Sequence, residues 1–379
     1  MSRAFNKTVF ILGAGFSCPA GLPSQNDIVR NILELHDESD LFDDNDVESF
    51  KQFLEEILLI PSNDHEKVPL EDVFTPLDRS MLDNITFREY RADEIVKIRE
   101  TIYRLIGTTL LHFQKTNVDY IDGFARYLFN KCKVRSNYKY SKEDPVSVIS
   151  TNWDTLLDDS LKRIIDKENK VFKCAQREET DKCTTQAVVD YCCYISSFNK
   201  DDESVKPGLE VLGAGGFNIK LLKLHGSLNW LQCSRCLRVY IDFNENIFKE
   251  KTVRCRHCDE NYGTQIAHQL SSNLIMPTFL KDLSNPQYKL IWQNAGIELS
   301  EAARIVFIGY SLPQADFEMR QLLSRMVRND AAIEVIDYTQ CPDQKKNVKD
   351  QYQTFFGRRK CVFHFDGVIE YFNNELQSN

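Results

Sequence analysis

No apolar run in this 379-residue chain approaches the ~20 residues that a bilayer span needs. The N-terminus has Arg3 and Lys7 ahead of a short apolar run, too brief for the core of a secretion signal and followed by no cleavage pattern. Both absences point to a cytoplasmic chain. Positive charge is in deficit: 47 Lys and Arg face 56 Asp and Glu, a net charge of −9. That balance argues against a general nucleic-acid-binding face. Internal repeats and low-complexity segments are absent. No D/E-x-K cluster stands at a strand end, which removes the support for a nuclease.

One further absence concerns a motif. Val9 to Leu12 run straight into Gly13-Ala14-Gly15, as a strand buried on both faces of a parallel sheet would. The dinucleotide fingerprint G-x-G-x-x-G needs a third glycine, and position 18 is Cys. The glycines still permit a sharp turn and close approach of a ligand to the backbone. The helix expected next would turn unpaired N–H groups and a positive dipole end toward a phosphate. A plain tight turn would use the same glycines, so the stretch alone leaves both readings open.

The chain length fits two or three domains, or one domain with large insertions. The pattern predicts a helix over Ile28–Leu35, then a solvated acidic loop containing Asp37, Glu38, Asp40, Asp43, Asp44 and Asp46. Helical spacing runs through 47–131, for example Ile95, Ile98, Ile102 and Leu105, with no glycine-rich strand end to interrupt it. Strands are expected at 146–150, 221–224, 304–308 and 332–338, with an edge strand at 361–365. Residues 161–208 read as helix and loop, and Cys174, Cys183, Cys192 and Cys193 within them as structural thiols. The fold class is therefore α/β: a Rossmann-like, mostly parallel sheet with a helical insertion and a small zinc-ribbon module. The boundaries read as 1–36 (sheet domain, first part), 37–140 (helical insertion), 141–231 (sheet domain continued), 232–262 (zinc ribbon) and 263–379 (sheet domain completed).

Twelve cysteines in a chain without export signals read as thiols or metal ligands. Cys233-x2-Cys236 and Cys255-x2-Cys258 have the spacing of a zinc ribbon, two knuckles around one tetrahedral ion. His257 lies inside the second knuckle and leaves a Cys3His set as the lesser alternative. Four protein ligands close the coordination sphere, so such a metal stabilises the fold and performs no chemistry.

Four features in order now carry a resemblance: Gly13-Ala14-Gly15-Phe16-Ser17; Thr151-Asn152-Trp153-Asp154; His225-Gly226-Ser227 ahead of the paired knuckles; and Gly309-Tyr310-Ser311-Leu312. The set resembles the sirtuin family, whose members read G-A-G-x-S, T-Q-N-I-D, H-G, zinc knuckles and G-T-S-L. The resemblance implies an NAD-binding domain, structural Zn2+ and cleavage of the nicotinamide–ribose bond. Carried over by position, Gly13, Ala14, Gly15 and Ser17 would lie against the NAD phosphates. Asn152 and Asp154 would face the nicotinamide ribose, His225 would be the catalytic histidine, and Gly309 and Ser311 would contact the adenosine half.

The chain also departs from the protein-deacylating members. The segment after Gly21 reads Leu22-Pro23-Ser24 and lacks their Phe and Arg. Their peptide-pairing strand is replaced by Leu274-Ile275-Met276-Pro277, in which proline removes a ladder donor. These features look like the bacterial sirtuin-like branch used in anti-phage defence. That branch implies hydrolysis of NAD to nicotinamide and ADP-ribose, a homo-oligomer, and a HerA-type ATPase as partner. An NAD-dependent protein deacylase or ADP-ribosyltransferase is the alternative.

Overall fold

The computed structural model describes residues 7–115, 118–133, 144–175, 187–212, 216–243, 253–263, 268–272 and 274–377. In chain order the elements are β1 (Thr8–Leu12), α1 (Ile28–Glu38), α2 (Asp44–Gln52), α3 (Leu70–Asp83), α4 (Ala92–Phe113), α5 (Asp119–Lys133), β2 (Val146–Ser150) and α6 (Leu156–Ala175). There follow β3 (Ala187–Asp190), β4 (Ile195–Ser197), α7 (Gly208–Leu212), β5 (Phe217–Lys223), β6 (Trp230–Cys233), β7 (Val239–Ile241), α8 (Arg256–Tyr262) and β8 (Leu270–Ser272). The chain ends with α9 (Pro286–Glu301), β9 (Arg304–Ile308), α10 (Phe317–Met326), β10 (Ala332–Ile336), α11 (Pro342–Phe356), β11 (Cys361–His364) and α12 (Val368–Gln377).

Seven strands form one sheet in the order β11-β10-β9-β1-β2-β5-β3, and every pairing in it is parallel. The chain starts in the middle at β1 and winds outward through β2 to β5 and β3. It then returns to the other side of β1 as β9 and runs out through β10 to β11. The strand order therefore reverses at β1, next to β9. In an open parallel sheet this is where a crevice opens beyond the carboxyl ends of the strands. Val9 and Ile11 are fully buried, as a central strand covered on both faces requires. Phe10 meets Phe124 of α5 edge-on at 5.0 Å, and Phe124 stacks on Phe372 of α12 at 4.7 Å, which fixes both helices over β1.

The amino end of the sheet is closed by charge. Lys7 Nζ lies 2.5 Å from Glu298 and 2.9 Å from Glu301 of α9. Lys220 bonds Glu298 at 2.7 Å and also pairs with Asp144. Lys7 and Glu298 are almost entirely buried, so each offsets the desolvation of the other.

Three local expectations are corrected. The acidic loop is half helix: Asp37 and Glu38 end α1, and Asp43 caps α2, accepting from the Asn45 N–H at 2.9 Å. Carboxylates at a helix N-terminus pair with its unsatisfied donors, so a charge run there need not be loop. Within 161–208, Ala187–Asp190 and Ile195–Ser197 are strands, the first wholly buried. Strands of three and four residues leave too little periodicity to detect among polar neighbours. Tyr338, expected in a strand over 332–338, lies beyond the end of β10 at Ile336. Cys183 lies outside the described residues.

Four short strands make a second sheet in the order β4-β7-β6-β8, antiparallel across β6. It draws β4 and β8 from outside residues 232–262. The paired cysteines sit at its end and on α8.

Candidate active site and metal centre

The turns after β1 and β9 interlock, and glycine is what lets them. Gly13 N–H donates to the Ile308 carbonyl and Gly15 N–H to the Gly309 carbonyl, each at 3.0 Å. A Cβ on Gly13 would stand 2.5 Å from that Gly309 oxygen, and one on Gly15 2.7 Å from Gly309 Cα. Gly309 also has φ +60°, in the left-handed region. Beside it Leu312, buried and at φ +52°, is held in an uncommon conformation for a leucine. Its carbonyl accepts from Arg320 Nη1 at 2.9 Å and Gln351 Nε2 at 3.1 Å, which fixes that strain in place.

Above these turns opens a cavity of about 410 Å³. Its walls are the segment from Gly13 to Ile28, the turn Thr151–Asp154 after β2, His225 after β5, Pro277 and Lys281, and the stretch Gly309–Asp316 after β9. Glu71 of α3 and Leu110 of α4 close one side, and Gln25 Nε2 bonds Glu71 at 2.6 Å. All nine residues read from the sequence as catalytic or cofactor-binding line this one cavity: Gly13, Ala14, Gly15, Ser17, Asn152, Asp154, His225, Gly309 and Ser311.

They do so in different ways. Asn152 Nδ2 donates to the Gly13 carbonyl at 2.9 Å and to Ser17 Oγ at 3.3 Å. Ser17 Oγ in turn donates to Asp154 Oδ2 at 2.7 Å. A backbone carbonyl only accepts, so the orientation of the Asn152 amide is decided, and its Oδ1 is the end left for the cavity. Ser17, buried, spends its hydroxyl on this chain and turns no free donor outward. Asp154 accepts from Ser17 and, through Oδ1, from the Leu156 N–H at 3.2 Å, where it starts α6. Burial pushes its carboxyl above the usual range, and Lys223 and Ser17 pull the other way. Asp154 thus acts on the cavity by holding Ser17 and Asn152.

Below lies a buried lysine. Lys223 Nζ bonds the Asp154 carbonyl at 2.5 Å, Ser227 Oγ at 2.7 Å and Asp158 Oδ2 at 3.0 Å. It ties β5 to the turn after β2 and so fixes Asn152 relative to His225. The amide N–H groups of Ala14, Cys18 and Ser311 have no partner among the described residues and border the cavity.

Two wall residues were missed in the sequence. Asp316, at the start of α10, lies with Oδ1 3.4 Å from His225 Nε2 and 3.0 Å from Lys281 Nζ. The Tyr310 hydroxyl donates to its other oxygen at 2.7 Å. An acid five residues past Ser311, where a helix begins, was a readable signal. Nothing in the pattern around Lys281 marked it.

The four cysteine sulfurs lie within 4.8 Å of one another. Cys233–Cys258 and Cys236–Cys255 are each 3.7 Å apart. Sulfurs about 2.3 Å from one ion stand about 3.8 Å apart on the edges of a tetrahedron, so the set fits structural Zn2+. His257 lies outside this cluster, its Nδ1 3.2 Å from Asn261 Nδ2, so the four thiols are the set whose geometry fits the ion.

No protein-family model and no curated protein matches the chain. Solved sirtuin-type structures do align with it. A Sir2–p53 peptide–NAD+ complex is 14% identical with a TM-score of 0.39, covering 98% of this chain and 92% of that one. A Sir2 homolog–NAD complex is 11% identical with a TM-score of 0.39, covering 98% and 90%. A Sir2 bound to acetylated peptide is 15% identical with a TM-score of 0.38, covering 98% and 92%. The α/β, Rossmann-like assignment rests on the strand order and not on these likenesses.

Proposed function

We propose that this chain is an NAD+ hydrolase that cleaves the nicotinamide–ribose bond, giving nicotinamide and ADP-ribose. The site supports a phosphate-bearing ligand through the unpartnered amides of Ala14, Cys18 and Ser311. Among the described residues no arginine lines the cavity, and the one lysine that does, Lys281, is paired with Asp316 and Glu318. Backbone N–H groups would therefore carry the pyrophosphate.

As the glycosidic bond lengthens, positive charge grows on the ribose. Asn152 Oδ1 would accept from a ribose hydroxyl or the attacking water. His225 would take a proton from that water as its oxygen bonds the ribose carbon. The electron pair of the broken bond goes to the nicotinamide ring nitrogen, and nicotinamide leaves neutral.

The observation that favours water over an acyl-lysine peptide is the state of residues 274–277. The Leu274 carbonyl accepts from the Tyr103 hydroxyl at 2.9 Å, and the Ile275 carbonyl from Trp153 Nε1 at 3.2 Å. Ile275 N–H donates to the His225 carbonyl, and the Met276 carbonyl accepts from Thr278 N–H. Leu274, Ile275 and Met276 are buried, and Pro277 has no N–H. A peptide adding as a strand would need these groups free. We infer further, from the sequence resemblance alone, a cytoplasmic role in depleting NAD during phage infection, in a homo-oligomer with a HerA-type ATPase.

The test is NAD turnover without peptide by wild type, Asn152→Ala and His225→Ala. Nicotinamide and ADP-ribose formed by wild type alone support the reading. Nicotinamide release that requires an acylated peptide would replace it with the deacylase.

A further inference from the structure

His225 follows β5, and Asp316 stands beyond β9, three strands across the sheet. The carboxyl ends of the strands bring them together. His225 Nε2 and Asp316 Oδ1 are both buried; among the described residues Nε2 makes no hydrogen bond as placed, and Oδ1 has the Lys281 ammonium at 3.0 Å. Their separation of 3.4 Å is a few tenths of an ångström beyond a normal N–H···O distance. Two buried polar atoms facing each other need one proton between them. With the proton on Nδ1, the Nε2 lone pair would face a carboxylate lone pair away from water, a destabilising arrangement. With the proton on Nε2, both atoms are satisfied. Nδ1 is then the one remaining polar atom of a ring that lines the cavity.

We propose that Asp316 is the positioning residue of this site: it holds the Nε2–H of His225 and so leaves Nδ1 as the base that meets the reactant. The hydrolase reading supplies the identity of that reactant; the tautomer does not depend on it. In the step, Nδ1 takes the proton released by water. The imidazolium keeps its Nε2–H directed at Asp316, which stabilises the charge as it forms.

Lys281 completes the device. Its side chain is 1% exposed, paired with Asp316 at 3.0 Å and Glu318 at 3.1 Å. Among the described residues His225 faces Asp316; Lys281 and Tyr310 meet that same acid, Glu318 meets Lys281, and Asp154 lines the cavity with them. From α9 the Trp292 ring approaches, at 6.3 Å. Burial alone would raise the Asp316 carboxyl. His225, Lys281 and Tyr310 outweigh it and hold the carboxyl well below the usual carboxylate range. A lone buried carboxylate would favour a protonated, idle imidazole. The lysine sets a second cation on the same carboxylate, so Asp316 is shared between the ring and the ammonium.

The experiment is 15N-histidine NMR on the full chain, with the His225 signal assigned by its loss in His225→Ala. The kcat/KM pH profile for NAD is measured alongside in wild type, Asp316→Asn and Lys281→Met. Wild type is expected to show the Nε2–H tautomer. Asp316→Asn should move the acid limb down by about one pH unit or more and Lys281→Met should move it up, the sign each charge dictates. KM should change little beside kcat. An Nδ1–H or averaged tautomer in wild type overturns the proposal. So do two folded variants that lose rate with the limb unmoved, the outcome of a purely structural role. Should wild type leave NAD intact, the NMR titration of the same three proteins still decides: a fixed Nε2–H and opposite shifts keep the pair and remove only the hydrolase reading.

Discussion

Gly15 and Gly309 pack backbone against backbone. The Gly15 N–H donates to the Gly309 carbonyl at 3.0 Å, and a side chain on either would meet the other's main chain. The glycines that read as room for a ligand are also what lets two strand-end turns touch. Gly309→Ala adds a Cβ at a left-handed position and forces the turns apart. It should cost roughly 2–4 kcal/mol of stability. A urea melt checks the size, and retention of wild-type stability would show that the turns separate without cost.

Asn152→Asp tests the amide orientation. The substitution keeps the shape but sets a carboxylate oxygen against the Gly13 carbonyl that Nδ2 now bonds. We expect a loss of about 1–3 kcal/mol in stability and a greater fall in turnover than for Asn152→Ala. Equal turnover in the two variants would mean that the amide is free to rotate.

Lys223→Met removes the cation from a buried pair. Asp158 and the Asp154 carbonyl would lose their donor, at about 3–5 kcal/mol. The turn after β2 should loosen, so the change should also weaken NAD binding by calorimetry. Binding unchanged in a destabilised protein would separate Lys223 from the site.

Asp159 gives a pH signature. Burial under Gln114 pushes its carboxyl up to about 6, against the hydrogen bond from Thr155. The folded state then holds its proton more tightly than the unfolded chain, whose value is near 3.9. Stability from this group is present below about pH 4 and is lost as pH rises to about 6. The total is at most about 2 kcal/mol for a partly exposed group. The difference between wild type and Asp159→Asn in melts across pH 4 to 7 isolates it, and a flat difference would refute the shift.

Metal content is the last check. One zinc per chain is expected by elemental analysis. Cys258→Ser should lower that content and the melting temperature together, since the metal holds β6 and α8. A zinc-free protein of unchanged stability would mean that the thiols suffice.

Whatever rests on local pattern was legible in the residues alone. Val9–Leu12, Val146–Ser150 and Ile305–Ile308 are mostly apolar and rich in Val and Ile because both their faces are covered, and that is visible without coordinates. The C-x2-C spacing, set by a four-coordinate ion, was equally legible. What depends on strand order emerged with the fold. It brought Asp316 to His225 across the sheet, turned Lys281 inward to pair with that acid, and committed the 274–277 backbone to Tyr103, Trp153 and His225. None of these contacts has a period or a spacing, because each joins segments that meet only when parallel strands align their carboxyl ends. Short strands such as Ala187–Asp190 were hidden for a related reason: they are strands because β5 stands beside them, more than because of their own residues.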